Sequence, residues 1–277
     1  MRIAVLLTIH NRKVKTLACL DNVFKQTMPE GYAIEVWLVD DGCTDGTPEA
    51  IREQFPKVHV IRGNGDLYWN RGMRLAWQTA AEHNDYDYYL WLNDDTFIHG
   101  NCVETLLEES RKRDDRAVIV GSTSAVGNPN ITTYGGWTSK EGLLQAGDKA
   151  QVCDTFNGNI VLFPRYVYKT VGINTTIFHH AGGDTEYGLR AARKGVKCIV
   201  AAGILGECDL HERPFVWCDP EQPFVKRWKS LYTPLGMNPI ELFIFEKEYY
   251  GLPTAAFHYI TTHLHCLVPS LWNKLKK

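Results

Sequence analysis

The chain has 277 residues, of which 44% are apolar and 22% charged, with a formal net charge of −2. That length supports a full hydrophobic core in one large domain, or in one domain with a tail, and the composition is that of an ordinary folded protein. A balance this close to neutral excludes a polyanion-binding surface over the whole chain, so nucleic acid is not an expected partner.

The first half alternates short apolar runs with amphipathic stretches. Strands are predicted at 3–9, 34–40, 57–62, 87–92 and 116–121, and helices at 13–26, 45–54, 70–83 and 100–112. This rhythm implies an α/β fold: a Rossmann-like mixed, mainly parallel sheet flanked by helices. Residues 122–150 place Gly, Ser, Thr and Asn between short apolar pieces and read as hairpins or loops at an antiparallel edge. Residues 156–163 read as one strand, followed by helices near 164–171 and 184–194 and a strand at 196–200. Beyond residue 215, Pro220, Pro223, Pro234 and Pro239 break the pattern, and helices are predicted at 239–250 and 253–267. We therefore expect a catalytic domain over 1–215 and a helical, aromatic-rich C-terminal extension over 216–277 packed on it. Its aromatics suit ordinary packing, or peripheral contact with a membrane beside Lys and Arg.

Eight cysteines are scattered without a Cys-x-x-Cys pair, in a chain too long to need staples. Reduced thiols in a cytoplasmic protein are expected. The N-terminus runs straight into a strand with a single Arg2, unlike a signal peptide. No apolar run reaches the ~18 residues that would span a bilayer.

Two acidic clusters carry the chemistry. Leu92-Asn93-Asp94-Asp95-Thr96 leaves an aromatic strand, and adjacent carboxylates there are costly without a counter-charge. A hard divalent cation is one such counter-charge, taking its remaining ligands from phosphates and water. A solvated acidic turn is the other reading of those five residues. Val39-Asp40-Asp41-Gly42-Cys43-Thr44-Asp45-Gly46-Thr47 also leaves a buried strand, and strand ends are where open α/β sheets bind ligands. A helix N-cap is predicted at Thr44 or Asp45, so Asp45 or Thr47 has a structural job. Asp40 and Asp41, lying before the turn, are expected to have none and are candidates to accept the N3–H of uracil or thymine.

Together with Ala4 to Arg12, and with Gly183-Asp184-Thr185-Glu186-Tyr187-Gly188-Leu189-Arg190, these stretches resemble the ordered landmarks of family 2 glycosyltransferases over roughly residues 1–215. Gly183 and Glu186 depart from the family's Glu-Asp-x-Asp pattern, and Asn93 stands for the first Asp of Asp-x-Asp. The resemblance implies a glycosyltransferase A-type fold and an inverting, metal-dependent transfer from a UDP- or dTDP-linked nucleotide-diphosphate sugar. The acceptor would be a glycan or lipid-linked glycan, in polysaccharide biosynthesis. It places Thr8, Asn11 and Arg12 on the nucleoside with Asp40 and Asp41. Asn64, Gly65, Trp69, Arg71 and Gly72 fall on the sugar diphosphate, the glycines allowing close approach and the helix start suiting an anion. Asn93 and Asp94 reach the donor. Asp95 first, then Asp94, and His211 in some relatives, hold Mg²⁺ or Mn²⁺. Asp184 becomes the general base, against the alternative of a helix cap. Glu186 and Arg190, four apart, are expected to form a helix-face ion pair.

Two other functions share this architecture: a sugar nucleotidyltransferase and a non-catalytic glycan-binding protein. The first needs a Gly-rich loop after strand one, where this chain has Thr8-Ile9-His10-Asn11-Arg12-Lys13. The sequence leaves the sugar, the acceptor, the linkage and any homo-oligomer open.

Overall fold

The computed structural model describes residues 1–210, 215–270 and 272. In chain order the strands are β1 (Arg2–Ile9), β2 (Ala33–Asp40), β3 (His59–Arg62), β4 (Tyr88–Leu92), β5 (Phe97–Ile98), β6 (Val118–Ala125), β7 (Asn128–Tyr134), β8 (Gly136–Thr138), β9 (Gly142–Leu143), β10 (Gln151–Cys153), β11 (Thr155–Phe156), β12 (Ile160–Pro164) and β13 (Cys198–Glu207). The helices are α1 (Lys13–Phe24), α2 (Thr47–Gln54), α3 (Tyr68–His83), α4 (Cys102–Arg111), α5 (Arg165–Val171), α6 (Gly183–Arg193), α7 (Phe224–Leu231), α8 (Pro239–Tyr250) and α9 (Leu252–Leu267). They divide into two compact units. One comprises Met1–Thr175 and Gly182–Leu210, the other Thr176–Ala181 and the chain from His211 onward.

The main sheet of the first unit has the order β10-β13-β6-β12-β4-β1-β2-β3, with β5 added on β13 and β7 on β6. β3, β2, β1 and β4 run parallel, β12 opposes both β4 and β6, and β13 is parallel to β6. The expected mixed, mainly parallel sheet is thus present, with the five-residue central strand β12 running against both of its neighbours. Ile3 to Leu7 are all fully buried, the apolar run of a strand covered on both faces. On one face α1 contributes Thr16, Cys19, Leu20 and Val23, the i, i+3, i+4, i+7 spacing of an amphipathic helix. On the other, α3 and α6 bring Met73, Trp77, Ala80, Tyr187 and Ala191 against Trp91, Val161 and Phe163. Trp77 is the hub, with ring centroids 4.8 Å from Phe163 and 5.6 Å from Trp91. Truncating such a ring in a packed core costs about 3–5 kcal/mol.

Three elements differ from the sequence expectation. Residues 156–163 are not one strand. Thr155–Phe156 pairs with β8 in a separate small sheet, and β12 begins only at Ile160. Asn157-Gly158-Asn159 is the break, and Ile160 opposite Leu92 sets it beside the end of β4. The last strand extends to Glu207 through an irregular register around Gly203, which holds φ +76°. Helix α2 starts at Thr47 rather than at a Thr44 or Asp45 cap. Asp45 still serves it, its Oδ1 accepting from the Thr47 backbone N–H at 3.1 Å and from its hydroxyl. In the second unit α7, which the sequence reading did not predict, joins α8 and α9. All eight cysteines are free thiols. Among the described residues no helix is long and apolar enough to cross a membrane.

Candidate active site

Because β12 runs against its neighbours, its start lies at the same sheet edge as the ends of β1, β2 and β4. The loops at that edge are tied to one another. His10 Nδ1 lies 2.7 Å from the Asp41 carbonyl oxygen, and Asn11 Oδ1 accepts from the Thr44 N–H at 2.7 Å. Asn11 holds φ +51°, a conformation that Asn tolerates better than most side chains. Asp40 Oδ1 accepts from Cys43 N at 2.8 Å and closes the turn after β2.

Asp41 corrects the expectation that the pair before the turn has no structural work. Its residue is 4% exposed, and its carboxylate accepts from Gly65 N at 2.8 Å and from Leu67 N and Tyr68 N at 2.9 Å. The start of α3, read from sequence as a seat for a substrate anion, already holds the anion of Asp41. Asp41→Ala would leave three N–H groups without that acceptor. We expect it to lower unfolding stability by about 1–3 kcal/mol in the absence of any ligand. An unchanged melting temperature for the free protein would contradict this role.

The acidic pair is buried, Asp94 5% and Asp95 6% exposed. One guanidinium nitrogen of Arg12, Nη1, donates to both: 3.2 Å to Asp94 Oδ1 and 2.7 Å to Asp95 Oδ2. Arg12 therefore sits on the acidic pair in this structure. Thr16 Oγ1, from the first turn of α1, donates to Asp94 Oδ2 at 3.0 Å. Burial pushes the Asp94 carboxyl up to about 6, with Arg12 pulling it down and Asp95 adding to the rise. Asn93 turns its Oδ1 onto the Trp69 indole N–H at 2.6 Å. The Trp69 ring also lies against the backbone of Gly158, where a Cβ would come within 2.3 Å of it. Trp69 thus braces the loop after β4, in addition to any contact with substrate.

Asp184 lies in the first turn of α6, whose N-cap is Gly182 at φ +100° with no side-chain cap bond. Asp184 is not the N-cap. Its Oδ1 accepts from Thr185 N at 2.8 Å and its Oδ2 from Gly158 N at 3.1 Å. Desolvation raises its carboxyl above the ordinary range, although part of the residue still meets solvent and these N–H groups pull the other way. Next to Gly158, Asn159 accepts from Asn93 N at 3.2 Å through its carbonyl and donates to Thr96 Oγ1 at 3.2 Å. Two consecutive residues thus hold Asp184 on one side and the loop of Asp94 and Asp95 on the other.

Two glycines act through close approach. A Cβ on Gly72 would fall 2.2 Å from Thr8 Oγ1, so α3 packs its backbone on the end of β1. Gly72 serves that helix–strand contact. A Cβ on Gly183 would fall 2.0 Å from Asn70 Oδ1. The departure from the family's Glu at this position follows from the buried Asn70, whose Nδ2 donates to the Thr175 carbonyl at 2.9 Å. Glu186 and Arg190 form the expected ion pair in bidentate form, at 2.9 and 3.0 Å, and Arg190 also binds the carbonyls of Val171 and Ile173.

Arg71, partly buried in the first turn of α3, forms no ion pair among the described residues. Asn64 closes a small turn by accepting from Asp66 N at 2.9 Å, and Gly65 holds φ +88°. His211 lies outside the described residues, and among those described no three metal-ligating side chains cluster. Sequence reasoning missed Thr16 and Asn159. For Asn159 the Asn-Gly pair just before it was the available signal.

The profile described as Glycosyl transferase family 2 matches residues 4–172. The chain is 27% identical over 177 residues to a poly-beta-1,6-N-acetyl-D-glucosamine synthase of Staphylococcus epidermidis, covering 61% of this chain and 41% of that protein. It is 28% identical over 124 residues to glycosyltransferase GlyG of Streptococcus pneumoniae serotype 4, covering 42% of this chain and 38% of that one. Against a hyaluronan synthase of Streptococcus pyogenes it is 29% identical over 113 residues, 39% of this chain and 26% of the relative. The chain spans well under half the length of these relatives. The crystal structure of S. aureus TarS shares the fold, with a TM-score of 0.56 and 15% identity over 76% of this chain and 37% of that one. The profile match covers more than half of the chain, from β1 through α5, and bears out the resemblance carried by the strand-end motifs: the chain belongs to glycosyl transferase family 2.

Proposed function

We propose that this chain is an inverting glycosyltransferase of polysaccharide biosynthesis. It would move a sugar from a UDP- or dTDP-linked donor to a hydroxyl of a glycan or lipid-linked glycan acceptor. The observation that carries the reading is the pair Gly158-Asn159, which hangs a desolvated carboxylate and a buried acidic pair from one short loop at the sheet edge. On this reading the carboxylate of Asp184 is the base and the acidic pair is the seat for a cation.

Asp94 and Asp95 fit a hard divalent cation. They are oxygen donors, they are buried together, and a single positive nitrogen of Arg12 already bridges them. Mg²⁺ or Mn²⁺ bound there would neutralise charge on the leaving diphosphate. Arg71 is the protein cation we assign to the same diphosphate. Asp40, with one oxygen in its turn, and Thr8 and Asn11 at the end of β1 are assigned to the nucleoside side. In the transfer the acceptor oxygen forms a bond to the anomeric carbon as the bond to the diphosphate oxygen breaks. Asp184 takes the proton of the acceptor hydroxyl, and a single displacement inverts the anomeric centre.

Calorimetry with UDP and dTDP tests the donor half of this reading. Binding should require Mn²⁺ or Mg²⁺, and Arg71→Ala should weaken it about tenfold, the worth of one charge-assisted contact. Equal binding in excess chelator, or no effect of Arg71→Ala, would remove the diphosphate from this edge.

A further inference from the structure

Helix α9 is held on two sides by its own unit. His258 Nδ1 meets Glu246 Oε1 of α8 at 2.6 Å, and Tyr259 packs edge-on to Phe243 at 5.8 Å. From α7, Arg227 Nε donates to the Cys266 carbonyl at 2.8 Å, and the Tyr232 hydroxyl lies 2.7 Å from His263 Nε2 just beyond that helix. Ala255 and Cys266 are fully buried in these contacts. Among the described residues a third face has no such cover. It carries Phe257, Ile260, Leu264 and Leu267, exposed at 63%, 59%, 45% and 50%. Their spacing of three, four and three residues lays them along an arc of roughly 80° at 3.6 residues per turn. Scattered apolar side chains on a surface need no explanation, but a continuous stripe does.

Charge decides what covers it. From Tyr249 to Asn273 there is no Asp, Glu, Lys or Arg, and the chain then ends in Lys274, Leu275, Lys276 and Lys277. A second copy pairing along this stripe would find no opposite charges on the flanking positions Ala256, Thr261 and His263, the places that set partner and register in paired helices. It would also bring no carboxylate from this segment to the terminal lysines. A bilayer surface with anionic headgroups supplies both partners, an acyl boundary for the stripe and negative charge for the lysines. At 16 residues α9 is too short to cross and is suited to lying in the interface plane. We propose that this face of α9 docks the protein on an anionic lipid surface.

The test uses the full chain and vesicle sedimentation, with phosphatidylcholine alone and with equimolar phosphatidylcholine and phosphatidylglycerol. Binding should be strong on the anionic vesicles, weak on the neutral ones, and reduced by salt. Ile260→Asp and Leu264→Asp should each lower partitioning at least about tenfold, the worth of one buried aliphatic side chain. Both sites are exposed, so circular dichroism should be unchanged. Lys274→Glu with Lys276→Glu should weaken binding to anionic vesicles only. Absence of vesicle binding by the native chain, or binding indifferent to Ile260→Asp and Leu264→Asp, overturns the proposal. A vesicle-free dimer in sedimentation velocity that Ile260→Asp dissociates, without vesicle binding, assigns the stripe to a second copy instead.

Discussion

Asp184→Asn should reduce turnover by about 10²–10⁴ while donor affinity barely moves. The substitution keeps the size of the side chain and removes its basicity. A purely structural Asp184 predicts a different result. Its carboxylate accepts from Gly158 N and Thr185 N, and an amide offers one oxygen where the carboxylate offers two. In that case stability falls and turnover falls only as far as the folded fraction does. The pH dependence separates the two further. Desolvation raises the folded-state pKa of Asp184 above its unfolded value. The stability linked to that shift is fully present below the unfolded pKa and is lost as pH rises through the folded one. The stability of Asp184→Asn relative to the native protein should therefore improve as pH rises from acid to neutral. A constant difference across that range would mean that Asp184 is not desolvated as described. Turnover of the native enzyme should in turn fall as pH drops through the raised folded pKa, since only the carboxylate accepts a proton.

Asp95→Ala should have an effect of similar size by another route. If the acidic pair seats the cation of the reaction, losing the carboxylate nearer to Arg12 removes several kcal/mol of charge stabilisation, or about 10³-fold in turnover. Asp94→Ala should do less, because Asp94 is also held by Thr16 and burial already raises it to about 6. Chelator should inhibit the native enzyme and add little to Asp95→Ala. Full activity in excess chelator would contradict the metal reading and leave Arg12 as the only cation the pair needs. Calorimetric titration of Mn²⁺ into native and variant protein reads the same point without turnover.

The sequence carried the sheet well because its signals are local. Five strands of the first half, and the four helices between and after them, follow from apolar periodicity, and each lies within a few residues of the expected span. The three strand-end motifs located the edge where the loops of β1, β2 and β4 meet. The misses are non-local. Nothing near Asp41 in the chain announces that its carboxylate will close onto Gly65, Leu67 and Tyr68, more than twenty residues on. Arg12 likewise meets Asp94 and Asp95 only because β1 and β4 are neighbours in the sheet. The break at Asn157-Gly158-Asn159 was hidden by strong apolar residues on both sides, although Asn-Gly inside a strand pattern is a turn signal. Helix α7 was lost among prolines, yet Pro223 directly precedes it and its buried Arg227 and Leu231 stand four apart.

The most direct test of sugar transfer is product analysis with a panel of UDP- and dTDP-linked sugars in the presence of Mn²⁺. The native protein should release free UDP or dTDP from at least one donor. Release should stop in chelator and fall by about 10² or more in Asp184→Asn. Pyrophosphate-dependent exchange of the nucleotide, with no free diphosphate formed, would contradict this account and identify a nucleotidyltransferase.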